Sequence, residues 1–168
     1  MKLTAKRIQE AFAYDPATGI ISWRKTDKYN RAGQIAGCLH KSTGYWFVSL
    51  DGVKIKGHQV AWVCAYGILP AFDIDHEDLN KANNKIKNLR PSNKSNNGAN
   101  RPPQKNNTSG YKGVFWHKAA GKWMVQIRVR GQVIYGGLFE CKKMAAHHYD
   151  ALAEKHFGEY ACLNLELA

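Results

Sequence analysis

The clearest periodicity lies late in the chain. From Lys122 to Arg130 the residues alternate strictly: Trp123, Val125, Ile127 and Val129 fall on one side of an extended strand, and Lys122, Met124, Gln126, Arg128 and Arg130 on the other. One face of that strand is dry and the other cationic. Gly131-Gln132 turns the chain into a partner strand over Val133–Phe139. Lys142–Phe157 then carries Ala145, Tyr149, Leu152, Ala153 and His156 at helical spacing, with Gly158 as its stop. The pattern predicts a three-stranded antiparallel sheet with one helix on its dry face and the opposite face open. Trp116 and Trp123 are assigned to the core.

The first half reads as a helix followed by short strands. Thr4 caps a predicted helix over Ala5–Tyr14, Pro16 and Gly19 mark the turn after it, and Ile20–Lys25 reads as a strand. Tyr45–Leu50 and Val53–Lys56 flank Asp51-Gly52, a strong hairpin signal. His58–Tyr66 is nearly all apolar and predicts a short buried helix ending near Gly67. Between the halves, residues 96–110 are polar and include Pro102-Pro103, which predicts a helix end and an extended linker. The expected organisation is α+β: residues 1–101 as one domain, 102–109 as linker, 110–168 as a second domain.

Composition narrows the partners. The 168 residues contain no apolar run long enough to span a membrane, and the N-terminus lacks the apolar core of an export signal, so a cytoplasmic protein is expected. The four cysteines are far apart with no C-x-x-C pair, so free thiols are expected, with neither structural zinc nor a disulfide framework. Lys plus Arg total 25 against 13 Asp plus Glu, a formal net charge of +12. Residues 1–100 hold 15 basic and 8 acidic side chains (+7), residues 101–168 hold 10 and 5 (+5), so both halves suit a polyanion.

The chemistry concentrates in Ile74-Asp75-His76-Glu77-Asp78-Leu79-Asn80, then Asn83-Asn84, Asn88-Leu89-Arg90 and Asn97. Adjacent Asp and His at a strand end, an Asn-rich loop, Asn-Leu-Arg entering a second strand and Asn on a helix together resemble the HNH endonuclease family, in particular its phage-borne homing branch. That resemblance covers about residues 58–101 and implies a hairpin and helix closing on one divalent metal, the ββα-metal fold. It implies Asp75 and Asn97 as the metal's ligands and Asn88 as the residue that ties the loop and orients the base. An imidazole titrating near neutrality suits water activation, which points to His76 as general base. A hard carboxylate such as Asp75 suits Mg²⁺, with Mn²⁺ as an alternative. Arg90 is a candidate contact to the scissile phosphate, and His58, at a helix start, a structural support. Singly, most of these residues have plainer readings: Asn80, Asn83 and Asn84 as loop formers, Asn88 as a turn residue, Arg90 as a solvated charge. Their joint order carries the reading. Where the family often has Gly after Asp-His, this chain has Glu77-Asp78-Leu79-Asn80, a more acidic loop.

Ser109-Gly110-Tyr111-Lys112-Gly113-Val114, Gly121-Lys122-Trp123, Gln126-Ile127-Arg128, Gly137-Leu138-Phe139-Glu140, Tyr149-Asp150-Ala151 and Leu163-Asn164 resemble the Apetala-two/ERF DNA-binding domain. The resemblance implies a sheet lying in the major groove, with Lys112, Phe115, His117, Lys122, Gln126, Arg128 and Tyr135 facing DNA; the alternation adds Arg130. Phe115 and His117 stand where plant members favour arginine, so a different sequence would be read. Arg128 suits guanine, Gln126 adenine, and Lys112 and Lys122 phosphates. The sequence therefore predicts a metal-dependent endonuclease of the homing type acting on double-stranded DNA, leaving 5′-phosphate and 3′-hydroxyl ends, without membrane association or an obligate protein partner. The alternative is a DNA-binding regulator with an inactive nuclease core. An RNA-binding module is disfavoured by the lack of an exposed aromatic platform.

Overall fold

A computed structural model describes residues 3–24 and 31–165. The chain packs as two units, Met1–Ser92 and Asn93–Ala168. Both mix helices with small antiparallel sheets, an α+β arrangement with four α-helices among the described residues.

In the first unit, α1 (Ala5–Ala11) starts where expected, with the Thr4 hydroxyl accepting from the Arg7 N–H at 3.2 Å. It is shorter than its apolar pattern predicts. Phe12–Tyr14 is instead β1, paired antiparallel with β2 (Ile21–Trp23) through Phe12↔Trp23 and Tyr14↔Ile21. Tertiary pairing overrides the helical period there, because Phe12 is fully buried and its ring packs 4.8 Å from that of Trp23. The predicted strand thus begins at Ile21 rather than Ile20, and Lys25 lies outside the described residues.

Next come β3 (Cys38–Leu39), β4 (Trp46–Leu50) and β5 (Val53–Lys56), in that order in one sheet. The β4–β5 turn is Asp51-Gly52, both at positive φ (51° and 80°), the mirror-image turn that matches strand twist. Helix α2 (Gly57–Tyr66) follows directly and ends on left-handed Gly67, as the sequence predicts. Ile8, Phe12, Ile21, Val48, Ile55, Val60 and Val63 close the core of this unit. β6 (Asp73–His76) and β7 (Leu89–Ser92) form a separate antiparallel pair joined by the Asn-rich loop.

The second unit opens with α3 (Lys94–Ala99), capped by the Asn93 side chain on the Asn96 N–H at 2.9 Å. β8 (Val114–His117), β9 (Lys122–Val129) and β10 (Gln132–Phe139) make an antiparallel sheet with β9 central, and α4 (Lys142–Phe157) lies against it. The dry face of β9 is where the alternation puts it: Val125 and Ile127 are buried with Ala145, Ala146, Tyr149, Ala153 and Phe157 of α4. Three details differ from expectation. The β9–β10 turn is Arg130-Gly131, both at positive φ, one residue earlier than predicted, so Arg130 sits in the turn rather than on the strand face. His156 is exposed and Phe157 takes the inward position. Trp116 is 50 % exposed, stacked edge-on against Trp123 at 5.0 Å, because edge strand β8 leaves that ring beyond the reach of the helix.

Two glycines let α4 approach the sheet. A Cβ on Gly136 would come within 2.7 Å of Val125 Cγ1 and 2.9 Å of Leu152 Cδ1. At Gly113, φ is +70° and a Cβ would fall 2.1 Å from the Tyr149 ring. Asp150 is buried on α4 and accepts from the backbone N–H of Asn164 and Leu165 at 2.8 and 3.1 Å, while the Asn164 side chain brackets the Lys112 peptide unit. The matching of Tyr149-Asp150 to Leu163-Asn164 is therefore a clasp on the terminal segment. Gly113→Ala is expected to destabilise this unit by about 3 kcal/mol, combining left-handed strain with overpacking; urea unfolding followed by tryptophan fluorescence measures it, and a loss below about 1 kcal/mol would contradict the close approach.

Candidate active site and nucleic-acid face

α2 lies over the β6–β7 pair because Ala61 and Trp62 bury themselves against Ile74 and Leu89. Strand alternation sends Ile74 and His76 to the same face, toward that helix, and the register His76↔Leu89 agrees. His58 lies one turn before Ala61 and Trp62 on α2, so its ring reaches the His76 ring, 5.0 Å between centroids and edge-to-face. Tyr45 of the loop before β4 completes a trio, 5.4 Å from His58 and 6.0 Å from His76. Both histidines are buried, 5 % and 4 % exposed.

Burial decides their protonation. His58 is pushed down to about 3, first by desolvation and then by the charges of His76 and Lys56, and its Nδ1 is buried without a hydrogen-bond partner among the described residues. Desolvation also pushes His76 below the ordinary imidazole value; the neighbouring Asn84 side chain and the charges of Asp78 and Asp75 act in the opposite direction, and Lys81 reinforces the lowering. A neutral His76 is what a proton acceptor requires.

Asp75 leaves the other face of β6. It stands opposite Arg90, which donates to its Oδ2 from Nε at 3.1 Å and from Nη2 at 3.0 Å, with both side chains largely buried. β6 ends at His76, and the chain then turns through Leu79 at φ 65°. Asn88 bonds within the loop: its Nδ2 donates to Asp78 Oδ1 and to the Asn83 carbonyl, both at 2.9 Å, while its Oδ1 accepts from the Asp78 N–H at 3.0 Å. The acidic Asp78 that departs from the usual glycine is thus the hub of the loop's hydrogen bonds, also taking Asn83 Nδ2 at 2.6 Å.

Sequence reasoning missed two members. Asn84, read as a loop former, is buried beside His76, and the fold makes room for it: a Cβ on Gly57 would meet Asn84 Nδ2 at 2.7 Å, and one on Gly19 would meet the Lys85 N at 2.6 Å. Tyr45 carries no motif; only the two glycines' positions in the sequence hint at a tight approach, and nothing points to the tyrosine.

In the second unit, α3 carries Asn97, whose side-chain oxygen is a buried acceptor without a hydrogen-bond partner among the described residues. The sheet's outer face brings together His117↔Lys122, Phe115↔Met124, Gln126↔Tyr135 and Arg128↔Val133 in cross-strand register. Phe115, Tyr135 and Val133 are 47 %, 59 % and 51 % exposed. Lys112 stands apart from this set. It is half-buried, its ammonium donates to the Ala99 carbonyl, and burial lowers its pKa. A cavity of about 420 Å³ near it is lined by Lys94, Ser95, Lys112, Arg128 and Arg130.

The HNH endonuclease family model matches residues 56–99, from the end of β5 through α3. That stretch is similar to HNH endonucleases and is about a quarter of the chain. Protein 3.8 of Escherichia phage T7 is 36 % identical over 78 residues, 46 % of this chain and 64 % of that protein, so the match spans just under two thirds of the relative. No solved structure matches. All the chain's proposed HNH residues, from His58 to Asn97, lie inside the matched stretch. Among the described residues no three His, Cys, Asp or Glu side chains gather as a metal site, and no helix is long and apolar enough to cross a membrane. Among the described residues no disulfide joins the cysteines.

The buried neutral His58 makes the first unit acid-sensitive. Its folded pKa lies below the unfolded value, so its contribution to stability is complete above about pH 6.5 and is lost as pH falls from there toward 3. Between pH 7 and pH 5 the expected loss is about 2 kcal/mol, to be read from urea midpoints. His58→Phe should remove that part of the slope and keep the part due to His76; an unchanged slope would show that His58 protonates freely in the fold.

Proposed function

We propose that this protein is a metal-dependent, sequence-directed DNA endonuclease of the homing type. The observation that carries the proposal is the placement of a buried, neutral His76 at the very end of β6, next to Asp75 and inside the HNH match. In this reading His76 takes the proton from the attacking water through its imidazole, which burial beside the Tyr45 and His58 rings keeps neutral. Asn88 does not reach into the chemistry; it fastens the loop that follows His76. Asn84 and His58 restrict the ring's orientation.

Asp75 and Asn97 are assigned as the metal's ligands from the family resemblance. Their donor types support this: a hard carboxylate, and an amide oxygen that is buried with no donor to satisfy it, an arrangement that costs about 1–3 kcal/mol unless a cation or water fills it. A bound Mg²⁺ or Mn²⁺ would supply positive charge to the phosphate and to the departing 3′ oxygen. Arg90 holds the Asp75 carboxylate in place, and in this reading its guanidinium also contacts the scissile phosphate.

The second unit is proposed as an Apetala-two/ERF-type DNA reader, with Phe115, His117, Lys122, Gln126, Arg128 and Tyr135 on the groove face and Arg130 at its end. The shared outer face of these side chains and the unit's basic surplus favour it. Lys112 is removed from the proposed contacts, since its ammonium is engaged on Ala99.

The deciding experiment is cleavage of supercoiled plasmid with Mg²⁺ against EDTA. His76→Ala is expected to reduce cleavage by about 10²- to 10⁴-fold while DNA binding persists. Cutting that survives both EDTA and His76→Ala would place the activity elsewhere; binding without any cutting by the wild type would support a regulator instead.

A further inference from the structure

Tyr45 holds more than two histidines. The Lys56 ammonium lies 4.7 Å from its ring centroid and the Lys81 ammonium 5.0 Å, so one aromatic face system gathers two cations beside His58 and His76. The two lysines come from separate elements: Lys56 closes β5 and precedes α2, whereas Lys81 belongs to the loop after β6 and also reaches the Thr43 carbonyl at 3.4 Å. Among the described residues neither makes an ion pair with a carboxylate. Two ammonium groups over one ring repel each other, and the ring's quadrupole offsets only part of that cost. The fold nevertheless draws them together, next to the histidines, on side chains long enough to have pointed elsewhere.

We propose that Lys56, Tyr45 and Lys81 form a phosphate clamp. It takes the backbone phosphates of the nucleic-acid strand that passes His76, with the two ammonium groups as donors to non-bridging oxygens and Tyr45 as the platform that fixes their spacing. The inference deepens the nuclease reading by naming how the strand is held. Binding is measured without cleavage, so failure of the clamp and failure of the nuclease reading remain separable. The clamp carries no sequence information, since phosphates are common to every site.

The test uses the full chain with His76→Ala in place, a short duplex oligonucleotide as probe, and EDTA present. Affinity is followed from roughly 50 to 200 mM salt, because each phosphate neutralised contributes about 0.9 to the slope of log affinity against log salt. Lys56→Ala and Lys81→Ala should each flatten that slope by about 1, and the pair together by about 2. Tyr45→Leu, which changes no charge, should flatten it as the double variant does. Lys41→Ala and Lys54→Ala, exposed lysines of the same unit, are the controls and should flatten it by clearly less. An unchanged slope in the Lys56 and Lys81 variants overturns the clamp. So does an equal effect from the control lysines, which would reduce the cluster to general surface charge. Should Tyr45→Leu fail to fold by circular dichroism, the lysine variants against their controls still decide.

Discussion

The packing of α2 on the β6–β7 pair is the constraint from which the candidate site follows. Ala61 and Trp62 against Ile74 and Leu89 fix the helix over one face of a pair only four residues long on each side. Once that contact is made, the period of the helix puts His58 over His76, and the period of the strand puts Asp75 on the opposite face with Arg90. Both histidines are buried there, and desolvation lowers the pKa of each. One interface thus sets the placement of both histidines, and Trp62 within it packs against the rings of Tyr66 and Phe72 at 4.4 and 5.2 Å.

A buried imidazole such as that of His76 is held in place by polar neighbours. The loop from Glu77 to Lys85 provides them through its own hydrogen bonds, centred on Asp78 and Asn88. Asn80, Asn83 and Asn84 each close a local turn as well, on Ala82, Lys85 and Ala82 respectively. Side chains that bond their own backbone stiffen a segment that has no regular secondary structure. The plain reading of the asparagines as loop formers and the functional reading of the loop are therefore the same statement at two scales.

Much of this was legible in the sequence where a residue's position dictated its backbone. Asp51-Gly52, Gly67, Val53–Lys56 and Lys142–Phe157 are where pattern and turn chemistry put them. The strand ending at His76 was legible from the Asp-His motif. What failed was long-range. Phe12–Tyr14 has a helical pattern but pairs with β2, and Trp116 has a core residue's hydrophobicity but sits on an edge strand. Tyr45 lies over thirty positions from His76, and no local signal joins them. Asn84 was hidden among asparagines of identical propensity; only its burial distinguishes it.

The family match and the packing units do not share a boundary. The match runs to residue 99, while the packing divides the chain after Ser92, so α3 belongs to the HNH pattern and also to the core of the second unit. Ala99 is buried with Val114, Val125 and α4, and its carbonyl accepts from the Lys112 ammonium and from the Cys162 N–H at 3.3 Å. The Ser95 hydroxyl accepts from the Arg130 N–H, also at 3.3 Å. A short helix of six residues with three internal asparagine or glycine positions has little stability of its own. Its shape is supplied by the sheet and helix downstream, so a chain ending at residue 101 would leave Ala99 uncovered and α3 without its last-turn partners. The second unit therefore supplies the packing that shapes the helix carrying Asn97.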